Sequence, residues 1–178
     1  MQTFIGLIRG INVGGKNILK MADLRTLLSE IGLEDVKTHL QSGNFVFRGE
    51  GSISSMETRL AKEAENRLGL KAGFFVRSVD QWRSIVEDDP FPDAAKSDPG
   101  HLLMFVGRDI PAEANLKAIQ ERYPGTEQIG VVGETVYVFC PDGIGTSKLL
   151  GSGAWVKATS NATARNWNTV VALLDMAG

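Results

Sequence analysis

Apolar residues fall in short bursts along this chain, and the spacing within each burst predicts an element. "TFIGLIR" (3–9) is a compact apolar run of the kind a buried strand needs. Met21, Leu24, Leu27, Leu28 and Ile31 then recur at helical spacing, and Gly32 ends that helix. "DVKTHL" and "NFVFR" flank "QSG" as the arms of a hairpin. A longer helix is predicted from about Ser52 to Leu68, stopped by Gly69, and the strand "AGFFVRS" follows it. The order βαββαβ is that of the split-βαβ, ferredoxin-like unit.

A short helix, "DQWRSIVED", leads into "DPFPDAAKSDPG" (89–100), whose prolines and aspartates suit a connector better than a core. The pattern then restarts. "HLLMFVG" is a strand, Pro111 sits near the start of a helix running to about Tyr123, and "TEQIGVV" and "TVYVFC" form a second hairpin about Gly133-Glu134. "VVGETVYVF" echoes "QSGNFVF" in layout, which suggests two related halves. The tail predicts a glycine-rich loop, a short helix, a polar turn and a final helix. Thr163 is that helix's expected N-cap, and Trp167, Val170, Val171 and Leu174 are its apolar stripe. The expected fold is therefore α+β: two ferredoxin-like (split βαβ) halves with largely antiparallel sheets and a helix at the C-terminus. Its expected divisions are 1–88, a connector 89–100, and 101–178.

Composition narrows the class. With 178 residues the chain can bury one good core, or two small sub-domains sharing one. Hydrophobic content of 43% and charged content of 22% are ordinary for a soluble globular protein. No apolar run approaches the roughly 18 residues of a membrane span, so no membrane partner is expected. The N-terminus lacks a basic n-region and reads as a strand rather than a secretion signal. A single cysteine, Cys140, excludes an internal disulfide and fits a cytoplasmic location. It ends an apolar strand, as buried packing does. His39 and His101 are isolated from each other and from Cys140, so neither a metal cluster nor a cofactor is expected.

The net charge of −2 is unevenly spread. Residues 1–25 carry Arg9, Lys16, Lys20 and Arg25 against Asp23, and residues 143–174 carry Lys148, Lys157 and Arg165 with no acid. Such asymmetry marks where anions dock. The overall pI of about 5.7 argues against a sequence-blind nucleic-acid binder, which needs a strongly basic face.

The first basic stretch contains "RGINVGGKN" (9–17), which spells seven of the eight places of a P-loop. Asn17 stands where the magnesium-binding Ser/Thr belongs, and the helix begins about four residues late. Hairpins also make the sheet antiparallel, whereas a P-loop needs a parallel one, so the ATPase reading fails. In a split-βαβ unit the end of the first strand, the second–third hairpin and the start of the first helix share one sheet edge. That brings Arg9, Gly10, Asn12, Gly14, Gly15, Lys16, Asn17 and Lys20 near Gln41, Ser42 and Asn44. Glycines free backbone N–H groups, and a helix N-terminus favours negative charge, so the stretch is a candidate anion site. Glycine and asparagine are equally what turns require.

"LIRGINVGGKNILKMADLRTLL", "QSGNFVF", "GIGTSKL" and "TARNWNTV" together resemble the successive signatures of the bacterial domain of unknown function 1697 family, across essentially the whole chain. The resemblance implies two ferredoxin-like α+β halves and no established reaction. Its signature places fall on Arg9, Gly10, Asn12, Gly14, Gly15, Lys20 and Met21, on 41–44, on Gly143, Gly145, Ser147 and Lys148, and on Thr163 and 165–169.

Within "TARNWNTV", Arg165 and Asn168 lie off the apolar stripe and are candidate contacts, or caps that lock the helix onto a loop. Ser147-Lys148 imitates a nucleophile–base pair, although adjacent helical residues diverge. Phe45 and Phe47 could stack bases in the manner of RNA-binding sheets, but i, i+2 spacing is also what a core requires. His39 is a lone acid–base candidate at the hairpin edge. The expected function is binding of an anionic, phosphate-bearing ligand, a nucleotide or nucleic acid, at residues 9–20. The alternatives are an enzyme acting on a small phosphorylated or carboxylated substrate, and a scaffold whose polar motifs are structural. The catalytic residues and the oligomeric state are left open.

Overall fold

The computed structural model describes residues 1–178, in two compact units: Met1–Ser84 with Ala172–Gly178, and Ile85–Val171. In unit 1, β1 (Gln2–Arg9) pairs antiparallel with β3 (Asn44–Gly49) on one side and β4 (Gly73–Ser78) on the other. Strand β2 (Glu34–His39) lies outside β3, giving the order β2-β3-β1-β4. Helices α1 (Met21–Glu30) and α2 (Ile53–Leu68) complete the split βαβ. Alternation along the strands turns Phe4, Ile8, Phe45, Phe47, Phe74 and Val76 into one core with Leu24 and Leu28 of α1 and Met56, Leu60 and Ala64 of α2. The phenyl rings of Phe45 and Phe47 stack there at 5.5 Å, out of reach of any nucleic-acid base. Ile5, Leu7, Val46 and Phe75 on the other face are buried too, which is why β1 reads as a continuous apolar run.

The predicted helix ends are where the chemistry puts them. The Ser52 hydroxyl accepts the Ser55 N–H, and Gly69 takes the left-handed φ of 62° just past Leu68. Strand β4 is a sheet edge, and α2 covers part of it: buried Glu57 accepts the Val76 N–H at 2.8 Å, and Arg77 donates to the Val76 carbonyl. Helix α3 (Val79–Glu87) follows.

Unit 2 repeats the plan. The predicted connector contains a short helix, α4 (Pro92–Ser97), with Ala94 buried. Then come β5 (Leu102–Gly107), α5 (Glu113–Gln120), β6 (Gln128–Val132), β7 (Thr135–Phe139), a 3-10 turn at Ile144–Thr146, α6 (Gly153–Ala158), β8 (Ala162–Asn166) and α7 (Trp167–Ala177), whose residues from Ala172 onward belong to unit 1. The sheet order is β6-β7-β5-β8, again antiparallel throughout. The expectation of an α+β chain with two split-βαβ halves and a C-terminal helix is met.

"TARN" corrects one expectation. It is an edge strand, β8, and not a turn capped by Thr163: Thr163 pairs with Val106, and Asn166 accepts the Thr169 N–H at 3.1 Å in the capping role. The free edge of β5 needed a partner, and that tertiary demand outweighed a local sequence resembling a helix start. The apolar stripe of α7 turns accordingly, with Trp167, Val170 and Leu173 buried and Val171 exposed.

The two frames correspond residue by residue through strand register. Ile5 lies between Val46 and Arg77, as Met104 lies between Tyr137 and Arg165. They depart from each other in two places. Residues 10–20 link β1 to α1, whereas 108–112 suffice between β5 and α5. Between the third and fourth strands, unit 1 has the 16-residue α2, whereas unit 2 has a loop, the 3-10 turn and the six-residue α6.

Candidate functional site

The first departure holds the glycine-rich stretch, and it is a small β-hairpin. The Lys16 N–H donates to the Val13 carbonyl at 3.1 Å, the Asn12 N–H donates to the Asn17 carbonyl at 3.2 Å, and Val13 and Lys16 form a β-bridge. Gly14 and Gly15 have φ of 58° and 74°, the left-handed pair that a two-residue type I′ turn demands. The glycines therefore close a hairpin instead of lining a phosphate cradle.

Asparagines pin this hairpin to the frame. The Asn12 amide donates to the Leu19 carbonyl (3.0 Å) and the Gln41 carbonyl (2.6 Å), while its Oδ1 accepts the Leu19 N–H (2.8 Å). Asn17 donates to the Gly10 carbonyl at 3.1 Å. The β2–β3 turn reaches the same spot, as topology required: the Ile8 N–H donates to the Gly43 carbonyl at 2.8 Å. A Cβ on Gly43 would stand 2.8 Å from Ile8 and 2.7 Å from Ile11, so only glycine allows this approach. Asn44 is fully buried and donates to the His39 carbonyl and the Ser42 hydroxyl, both at 2.9 Å. Asn12, Asn17 and Asn44 thus brace the loops.

Arg9, Gly10, Gly14, Gly15, Lys16, Asn17, Lys20, Gln41 and Ser42 are exposed. Arg9, Lys16 and Lys20 are the charged residues of 9–20, with no carboxylate among them. The hairpin also holds Val13 and Ile18 out in water, 69% and 73% exposed. Helix α1 starts at Met21, and Lys20 at its N-cap makes no side-chain cap bond.

The remaining candidates lie in unit 2. Ser147 does not pair with Lys148; its hydroxyl donates to Glu127 and accepts the Leu150 N–H at 3.1 Å. Lys148 is exposed and lines a concavity of about 180 Å³ together with Ser147, Glu127, Thr126, Asp142 and Thr146. Buried Cys140 touches the same space, and burial, helped by the Glu127 charge, pushes its thiol up to about 11. Glu127 escaped the sequence reading because nothing local marks a glutamate that meets a serine 20 residues on.

Arg165 is buried in β8, where Nη1 donates to the Thr163 hydroxyl (2.8 Å) and the Ala164 carbonyl (2.7 Å). Burial lowers its guanidinium to about 10, still charged at neutral pH. Asn168 is exposed on the first turn of α7. His101 holds Asp98 at 2.9 Å, and no three His, Cys, Asp or Glu side chains gather as a metal site would require. No helix is long and apolar enough to cross a membrane.

Among solved structures, the chain is similar to the conserved bacterial protein SP0830 from Streptococcus pneumoniae. The two share 22% identity over 99% of each chain with a TM-score of 0.78, a likeness of fold. No curated protein matches it. A family model matches residues 1–137, which include the hairpin and the β2–β3 turn, while "GIGTSKL" and "TARNWNTV" lie beyond it, and the chain belongs to the family described as Protein of unknown function (DUF1697).

Proposed function

We propose that this protein binds a phosphate-bearing ligand, a nucleotide or a nucleic-acid strand, across the exposed surface of the 12–17 hairpin. One observation carries the reading: unit 1 inserts a pinned, acid-free, cationic hairpin at a place where the same frame in unit 2 needs only a short link. The asparagines are occupied in holding the loops, so binding rests on the side chains of Lys16 and Lys20, with Arg9 adding its charge at the end of β1. An open surface of this kind grips a polyanion by charge, and its affinity falls as salt rises. Nucleotide hydrolysis is not part of the proposal, because a type I′ turn offers no magnesium geometry.

Fluorescence anisotropy with a labelled single-stranded oligonucleotide, titrated at several salt concentrations, tests this. Binding should weaken with salt, and Lys16→Ala and Lys20→Ala should each lower the slope of log K against log salt by about 0.7. Lys62→Ala, exposed on α2, serves as the control. Unlabelled nucleotide and inorganic phosphate, added as competitors, separate a polymer site from a small-anion site. Equal affinity and equal slopes for wild type and both lysine variants would overturn the proposal.

A further inference from the structure

We infer that Ser147 is the nucleophile of a small acyl-transfer site in unit 2, with Glu127 as its general base. The site lies at the second departure between the two frames. Between its third and fourth strands, where unit 1 has α2, unit 2 has a loop and 3-10 turn that, with residues 124–127, wall a concavity with hydroxyls, two carboxylates and Lys148. Leu149 and Trp155 of this segment fill the core of unit 2, whereas its side chains at the concavity are polar.

Three features suit the chemistry. The Ser147 hydroxyl already directs its proton to the Glu127 carboxylate, the nucleophile–base contact that acyl transfer requires. The Leu150 N–H, donating to Ser147 Oγ, fixes that oxygen at the cavity wall. The Ser147 hydroxyl engages one Glu127 oxygen, and the second is buried with no hydrogen-bond donor. Gly125 keeps room for it: a Cβ there would stand 2.1 Å from Oε2. Lys148 places a positive charge on the lining, which favours an oxyanion forming on a bound carbonyl. The concavity, about 180 Å³, has room for a short acyl group, which makes a small ester the substrate class.

In the first step Ser147 Oγ bonds to the carbonyl carbon and its proton passes to Glu127. The carbon–oxygen bond to the leaving alcohol breaks as Glu127 returns that proton to it. In the second step water bonds to the acyl carbon and gives a proton to Glu127. The proton then passes to Ser147 Oγ as the ester to serine breaks, releasing the acid.

p-Nitrophenyl acetate tests this on the full-length chain. Nitrophenolate should appear with a burst of one equivalent, and peptide mapping should find the acetyl group on Ser147. Ser147→Ala should abolish both. Glu127→Gln keeps a carbonyl to accept the serine proton's hydrogen bond but removes the base, and should slow acylation about a hundredfold. Acetylation of Lys148 in place of Ser147, no burst in the wild type, or an unchanged rate in a folded Glu127→Gln protein would each overturn the inference. Should Glu127→Gln not fold, the wild-type and Ser147→Ala maps decide it alone.

Discussion

Replacing Asn12 by alanine tests whether the hairpin is held by one side chain. The substitution deletes three hydrogen bonds, two donated to the carbonyls of Leu19 and Gln41 and one accepted from the Leu19 N–H. Each is worth about 1 kcal/mol net. Asn12 also sits at φ 54°, a left-handed conformation that costs alanine about 1 kcal/mol more than glycine and that asparagine tolerates. The three bonds share one residue and do not add fully, so the expected loss is about 2–4 kcal/mol. Asn12→Gly deletes the same bonds without the backbone strain and should lose about 1 kcal/mol less. Urea unfolding monitored by fluorescence and circular dichroism reads the global term. Amide exchange at Leu19 reads the local one, since the loop can open without the sheet unfolding. If Asn12→Ala costs under about 0.5 kcal/mol and leaves Leu19 equally protected, Asn12 does not hold the hairpin and the reasoning fails.

Two further outcomes follow from geometry. A type I′ turn prefers Asn-Gly, so Gly14→Asn should be neutral or stabilising while Gly15→Val destabilises, and thermal melts that rank them the other way would discard the turn assignment. Cys140 titrates at about 11 in the folded chain against an ordinary 9, so the folded state holds its proton longer. Its contribution to stability is therefore intact below about pH 9 and is lost as pH rises towards 11, with the wild type falling more steeply there than Cys140→Ala in denaturant titrations.

Much of this frame was legible in the chain. Helix α2 carries its start and stop signals in sequence, Ser52 and Gly69, and the two β-hairpins announce themselves by alternating residues around Gly43 and Gly133. The meeting of the Asn12 loop with the Gln41 turn followed from topology alone. What stayed hidden depends on distant partners. Strand β8 exists because β5 has an edge to fill, a demand absent from the five residues of β8 themselves. Asn44 is a similar case: its polarity alone suggests a ligand contact, whereas burial and the His39 carbonyl give it an internal partner. Glu127 was invisible, since its meaning comes from Ser147 across a loop.

The correspondence between the units separates frame residues from candidates for chemistry. Arg77 and Arg165 occupy the same register position, each on the edge strand of its sheet, and each donates through Nη1 to the carbonyl of the residue before it. One solution found twice in two sheets serves what the sheets share, which is an edge strand whose carbonyls lack a neighbouring strand. Arg165 therefore belongs to the frame although it stands within the "TARNWNTV" signature, and the lowering of its guanidinium by burial is the cost of that structural role. Asn44 and Thr135 correspond in the same way: each lies on the third strand of its half and both are buried. Removing such pairs leaves features that one frame has and the other lacks. Those are Lys16 of the 12–17 hairpin, with Lys20 just beyond it, in unit 1 and the Ser147–Glu127 pair in unit 2. A duplicated fold can hold its shape without either, so selection for shape alone does not account for them.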